Sequence, residues 1–290
     1  MITLGVDEHR GQEGQTAQFY ARAMQALDEA GVPFLVGGAF AHWYYTHICR
    51  PTKDLDLVVL PSDRDRALAA LAALGYHTEV PYPHWLAKAY CGDDFIDIIY
   101  NSGNGYSPAD AEWFAHAPVA RLLGRKVRVC PPEELLHGKA FVMERERYDG
   151  ADVAHLLLSH GPRLDWPRLL RRFGDRWRVL LSHIVLFGLI YPTERAAVPE
   201  WVMRELVGRL RGEAQRAAGA GDEAGRVCYG TILSREQFLV DVKEWGFHDA
   251  RLPPVGPMSS ADVDLWTAAI GQKERGPAEP GKDITSVLTH

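Results

Sequence analysis

The chain has 290 residues, of which 47% are hydrophobic and 24% charged, with a net charge of −6. That profile belongs to a soluble globular chain long enough for one large domain or two ordinary ones, and it excludes disorder on a whole-chain scale. The negative balance weighs against a surface coated for nucleic acid, although a local basic groove stays open between Arg163 and Arg178. In that stretch Arg163, Arg168, Arg171, Arg172, Arg176 and Arg178 face only Asp165 and Asp175, and a solvated helix face is the plainer reading. The four cysteines, Cys49, Cys91, Cys130 and Cys228, have no C-x-x-C spacing. They predict free thiols in a reducing cytoplasm and no zinc site.

In chain order, the polar start lacks the apolar core of a secretory signal. Thr16 to Ala30 places Phe19, Ala23 and Leu27 on one helical face, and Gly31 ends the helix. Phe34-Leu35-Val36 predicts a short strand entering a tight turn at Gly37-Gly38, with helical character following from Ala39 to Ile48. Leu55 to Leu60 predicts a second strand, and Asp63 to Leu74 an Ala/Leu-rich helix. Trp85 to Tyr90 and Phe95 to Tyr100 predict two antiparallel strands around Cys91-Gly92-Asp93-Asp94, and Arg125 to Cys130 another strand.

From Pro131 onward helical periodicity dominates: Glu133 to Arg147, Ala151 to His160, Trp166 to Phe173, Arg176 to Ile190 and Pro199 to Ala217. Val179 to Tyr191 is shorter than the roughly 20 residues of a membrane span and predicts a buried core helix. Ser234 to Trp245 predicts a further helix opened by a Ser234–Gln237 capping box. Asp149 and Asp152 either orient an acceptor or act as base, or cap the next helix, with the cap the plainer reading for Asp149; Arg235 stays open between the surface and a cleft. The expected class is α+β, a mixed α/β half followed by a mainly helical half. The expected division is 1–130, 131–270 and a flexible tail at 271–290.

Three features carry chemistry. Gly37-Gly38 closes one strand, Lys53-Asp54-Leu55-Asp56 opens the next, and Asp97 sits between Ile96 and Ile98 in a later one. Residues two apart on a strand point to one side, so Asp54 and Asp56 present paired carboxylates and Asp97 can add a third from a neighbouring strand. Three converging carboxylates repel unless a cation joins them, and hard oxygen donors suit Mg²⁺, with Mn²⁺ as the alternative. Two such ions, about 3.5–4 Å apart, can activate an attacking oxygen and stabilise a leaving pyrophosphate. The glycines let backbone approach a triphosphate, and the N–H groups from Ala39 offer an anion site. Lys53 either contacts phosphate or balances the carboxylates.

This pattern resembles the DNA polymerase β-like nucleotidyltransferase superfamily: Gly37 and Gly38, a short helix, Asp54 and Asp56 in a strand, then Asp97 between apolar neighbours. The resemblance covers about Thr16 to Leu158 and looks most like the small bacterial enzymes that modify antibiotics or act as toxins. It implies a mixed sheet with flanking helices, and a transferase that moves a nucleoside monophosphate from ATP or another NTP to a hydroxyl or phosphate, releasing pyrophosphate. It also implies that Lys139 reaches the triphosphate from its helix. Ala39 departs from the pattern, because many members have a Ser or Thr hydroxyl there. The acceptor stays open between a small molecule, an RNA and a protein side chain. The toxin reading would bring an antitoxin partner, no membrane is implied, and a catalytically silent nucleotide-binding module is the competing class.

Overall fold

The computed structural model describes residues 6–49, 52, 54–217 and 225–268. It separates into two compact units, Met1–Gly103 with Pro108–Pro131, and Asn104–Ser107 with Pro132–Gly271.

The first unit opens with α1 (Val6–Glu29), then β1 (Leu35–Val36), α2 (Gly38–Thr46), β2 (Asp54–Val58) and α3 (Arg64–Ala72). It continues with β3 (His77–Tyr82), β4 (Leu86–Cys91), β5 (Asp94–Ile99), α4 (Ala111–His116), β6 (Val119–Leu122) and β7 (Arg125–Arg128). Five strands form one sheet in the order β1-β2-β5-β4-β3. Only β2 and β5 run parallel; the other neighbours are antiparallel, so the sheet is mixed.

Strand alternation divides this sheet into two chemically different faces. Leu55 and Leu57, Ala87 and Ala89, Ile96 and Ile98 are fully buried and pack with Phe19, Ala23, Met24 and Leu27 of α1 and Ala67 and Leu71 of α3. The opposite face carries Asp54, Asp56, Lys88, Tyr90, Phe95 and Asp97. The hydrophobic effect thus fixes the register, because a slip of one residue would exchange the two faces.

The second unit is helical: α5 (Pro132–Ala140), α6 (Gly150–His160), α7 (Trp166–Phe173), α8 (Trp177–Ile190) and α9 (Glu200–Ala217). A short parallel pair, β8 (Val227–Cys228) and β9 (His248–Asp249), follows, with α10 (Leu239–Lys243) between its strands and α11 (Ser260–Ala268) after them.

Several boundaries differ from the sequence expectation. The first helix begins at Val6, because residues 6–15 carry no apolar repeat for periodicity to detect. β3 is a polar edge strand with an irregularity between Glu79 and Tyr82, around Pro81; such edges lack a regular apolar signal. The helix expected to reach Arg147 ends at Ala140, and a Met143–Tyr148 bridge follows. There the Glu144 carboxylate accepts from the Ser234 hydroxyl and the Arg235 N–H, long-range bonds that periodicity cannot register. The helix expected from Ser234 shrinks to Leu239–Lys243. The Ser234 hydroxyl does accept from the Gln237 N–H, but the Gln237 amide donates to the Met143 carbonyl. Only one side of α8 is buried, since Val185 and Leu189 are 58% and 76% exposed. No described helix is long and apolar enough to cross a membrane. The expected tail at 271–290 lies outside the described residues.

Candidate active site

The site grows from one pairing. β2 and β5 are adjacent and parallel, with Asp56 opposite Asp97 and Asp54 opposite Phe95. Carboxylate oxygens of Asp54, Asp56 and Asp97 all lie within 4.8 Å of one another. Asp97 is 9% exposed, and Asp54 and Asp56 are half-buried. Holding three acids this close costs free energy that neighbouring cations must offset. A hard divalent cation fits this donor set, because every group offered is a carboxylate oxygen.

Each acid is held by a specific neighbour. The Thr52 hydroxyl donates to Asp54 Oδ1 at 2.9 Å. The Gly37 N–H donates to the Asp56 carbonyl at 2.9 Å, stitching the turn to the strand. The Lys88 ammonium lies 2.6 Å from Asp97 Oδ1. Tyr20, buried on α1, senses the group: burial first, then Asp94, Asp54, Asp56 and Asp97, push its phenol well above the usual tyrosine range.

Gly38 serves the site in a way that the sequence did not reveal. Its φ is +53°, and a Cβ there would fall 1.5 Å from Asp56 Oδ2. The missing side chain therefore makes room for a carboxylate of the protein itself. Gly37 is the N-cap of α2, and Gly38 and Ala39 form its first turn without a side-chain cap. The N–H groups of that turn are available in principle to an anion. Tyr45, further along α2, is core: it is buried and donates to the Cys130 carbonyl at 2.9 Å.

The structure thus brings together Asp54, Asp56, Asp97, Gly37, Gly38 and Ala39 in the first unit. Lys53 lies outside the described residues. Lys139 belongs to the second unit, where its ammonium is 2.6 Å from Asp152 and 3.3 Å from Asp149. Asp149 does occupy the N-cap position of α6, but its side chain makes no cap bond; it accepts from Lys139 and from Arg147 at 2.9 Å. Arg235 faces Glu144 at 3.5 Å and lies over the Trp266 ring. The stretch from Arg163 to Arg178 is no simple solvated face. Arg168 is 3% exposed and pairs with Glu133 and with Glu134 at 2.8 Å. Arg172 also reaches Glu134, at 3.2 Å, Arg176 lies 3.8 Å over the Tyr106 ring, and Arg178 pairs with Glu213.

Sequence reasoning passed over Lys88 and Thr52. Lys88 had a usable signal: a tight turn that pairs Cys91 with Asp94 necessarily pairs Lys88 with Asp97.

A family model described as "Uncharacterised nucleotidyltransferase" matches residues 7–195. No curated protein matches the chain. Among solved structures, the antibiotic-resistance factor ANT(2'')-Ia is 18% identical, with a TM-score of 0.37 over 72% of this chain and 100% of its own. JHP933 from Helicobacter pylori is 12% identical, with a TM-score of 0.36 over 74% of this chain and 100% of its own. An antigenic nucleotidyltransferase-like protein from Paracoccidioides brasiliensis is 15% identical, with a TM-score of 0.35 over 57% of this chain and 90% of its own. Likenesses this distant carry no argument about substrate.

Proposed function

We infer the chemistry from one premise: the chain belongs to the family of uncharacterised nucleotidyltransferases, and is therefore a nucleotidyl-transferring enzyme. The donor we assign is a nucleoside triphosphate and the metal Mg²⁺, with Asp54, Asp56 and Asp97 as its ligands. The observation that carries this reading is the convergence of those carboxylates from two parallel strands beside the first turn of α2.

The reaction is attack by an acceptor oxygen on the α-phosphorus of the triphosphate. One P–O bond forms, the bond to pyrophosphate breaks, and the acceptor proton leaves to a base or to water. When bound, divalent metal supplies Lewis-acid polarisation and neutralises charge on the phosphates. The residues of this chain do the positioning. Asp54 and Asp56, with Asp97, would hold that metal beside the donor's phosphates. The Gly38 and Ala39 N–H groups at the start of α2 donate to phosphate oxygens, which compensates in part for the hydroxyl that Ala39 lacks. Asp97, opposite Asp56 on the neighbouring strand, would complete the ligand set. The first unit thus acts as the catalytic domain. Lys139 would have to exchange Asp152 for the triphosphate to serve as the resemblance implies.

A small hydroxyl-bearing molecule is the acceptor to screen first. An RNA acceptor drew its support from the basic stretch, and there Arg168 and Arg172 are committed to internal carboxylates. This reading needs no antitoxin partner.

The test is calorimetric titration with each of the four ribonucleoside triphosphates, with and without Mg²⁺, on the protein and on an Asp54→Ala/Asp56→Ala variant. Metal-dependent binding that vanishes in the variant supports the site and names the donor. A folded protein that binds none of the four sinks the reading and leaves the silent module.

A further inference from the structure

Tyr20 has no part in the carboxylate group or in the anion site, yet it stands between them. It is 3% exposed and belongs to the core that α1 makes with the sheet. Thr16 lies one helical turn before it, on the same face of α1. The Thr16 hydroxyl lies 3.0 Å from each carboxylate oxygen of Asp94, which ties this end of α1 to the start of β5. Asp94 precedes Phe95, the register partner of Asp54, so the tie lies where both carboxylate strands begin. On another side the Tyr20 ring meets Phe40 edge to face, with 6.5 Å between centroids. Phe40 directly follows Ala39 in the opening of α2. Tyr20 is therefore placed between the start of the two strands and the start of the helix.

A tyrosine hydroxyl buried this deeply ordinarily finds a partner. Among the described residues none hydrogen-bonds that of Tyr20. Nor is it one of their sealed polar atoms without a partner, so the oxygen keeps a path to the surface. The neighbouring acids have hydroxyl donors of their own, Thr16 for Asp94 and Thr52 for Asp54. Burial first, then Asp94, Asp54, Asp56 and Asp97, holds the proton on the phenol oxygen, so the group is a donor at any working pH. The opening of α2 offers backbone donors alone, because Gly37, Gly38 and Ala39 carry no polar side chain.

We propose that Tyr20 is a further nucleotide-contacting residue of the transferase site, its hydroxyl donating to a phosphate oxygen of the triphosphate beside the N–H groups of Gly38 and Ala39. This rests on the reading of the first unit as the triphosphate site. The phenol supplies from α1 the hydroxyl donor that the opening of α2 does not carry. A phosphate oxygen is a charged acceptor, and a bond to it is stronger than one between neutral groups. The buried hydroxyl thus finds its partner in the substrate.

The experiment is Tyr20→Phe in the full chain, which removes the hydroxyl oxygen and keeps the ring against Phe40. Calorimetric titration with the four ribonucleoside triphosphates and with inorganic tripolyphosphate, all with Mg²⁺, reads the contact. Thermal unfolding without ligand reads the fold. The variant is expected to keep or raise the thermal midpoint, because an unpartnered hydroxyl leaves the interior. It is expected to bind the wild type's donor, and tripolyphosphate, about tenfold more weakly, as loss of a hydrogen bond to a charged group implies. A merely structural role would move the midpoint instead. Equal affinities in wild type and variant overturn the proposal. A loss confined to the nucleoside triphosphates overturns it too, because the contact is then to base or ribose. So does a variant that melts earlier or fails to fold, which makes the hydroxyl part of the core. A folded wild type that binds no triphosphate removes the nucleotide-site reading itself, so the two failures are distinguishable.

Discussion

The two units treat charge in opposite ways. In the helical unit, buried ions are matched within their own clusters. Arg168 and Arg172 answer Glu133 and Glu134, Lys139 and Arg147 answer Asp149 and Asp152, and Arg251, with no exposed surface, forks onto Asp249. In the sheet unit, three acids converge on one face from two strands, and Lys88 pairs with Asp97. A cluster that closes on itself needs no ligand and reads as architecture. Carboxylates that converge on a partly open strand face can take a ligand from outside the chain, and that is where chemistry belongs.

The comparison breaks most visibly if the three acids of the sheet face prove structural. Asp56→Asn is expected to lower nucleotidyl transfer at least about a thousandfold, the scale of losing a metal ligand and its charge stabilisation. Its thermal midpoint should stay equal or rise, because repulsion is relieved. A cooperative loss of fold instead would put Asp56 among the architectural ions.

Arg168→Met is the mirror experiment. It strands Glu133 and Glu134, and burial already pushes the Glu134 carboxyl up even with Arg168 and Arg172 beside it. A loss of about 3–5 kcal/mol in urea unfolding is expected. A loss below about 1 kcal/mol, the scale of an exposed pair, would mean that the cluster is not closed in the way its geometry indicates.

Gly38→Ala should sharpen the contrast, because it separates activity from stability within one residue. The left-handed backbone costs about 1–2 kcal/mol for a residue with a Cβ. The displaced Asp56 carboxylate should cost about a hundredfold in transfer, the scale of an ångström's misplacement. Equal effects on both would deny Gly38 its role at the carboxylate.

The smallest effect concerns protons. Burial first, then Arg172, pushes the His137 imidazole from 6.5 down to about 3. Its Nδ1 lies 3.1 Å from the Ser107 hydroxyl, and its ring packs on Phe141 and Phe173. A depressed histidine means that the unfolded chain binds the proton more readily. The stability it lends is full above 6.5 and is lost as pH falls towards about 3. His137→Phe should therefore lose less stability between pH 7 and pH 4.5 than the wild type. Parallel pH curves would assign the acid sensitivity elsewhere, for example to His183, which burial also pushes down.

How much of this was legible beforehand depended on how local the cause was. Asp54, Asp56 and Asp97 announce a shared face because strand alternation is a local rule, and Gly37-Gly38 announces a turn for the same reason. The α+β order and the nucleotidyltransferase family were legible from those residues together. The cation beside Asp97 needed the hairpin register as well as the strands, and the motif drew attention away from Lys88. Arg168 looked like surface because its partners, Glu133 and Glu134, are more than thirty residues away in sequence. The early end of α5 and the shortening at Ser234 share one cause, the Glu144 carboxylate, which joins segments 90 residues apart.

The interlock of Gly38 with Asp56 also has a bearing on descent. Any side chain at position 38 claims the space of Asp56 Oδ2, so a change at one position bears on the other. With the acid kept, even a methyl group at 38 would displace the Asp56 carboxylate, whereas a shorter residue at 56 would leave only the cost of the positive φ. Once a side chain occupied position 38, an aspartate returned to position 56 would meet it where Oδ2 now lies.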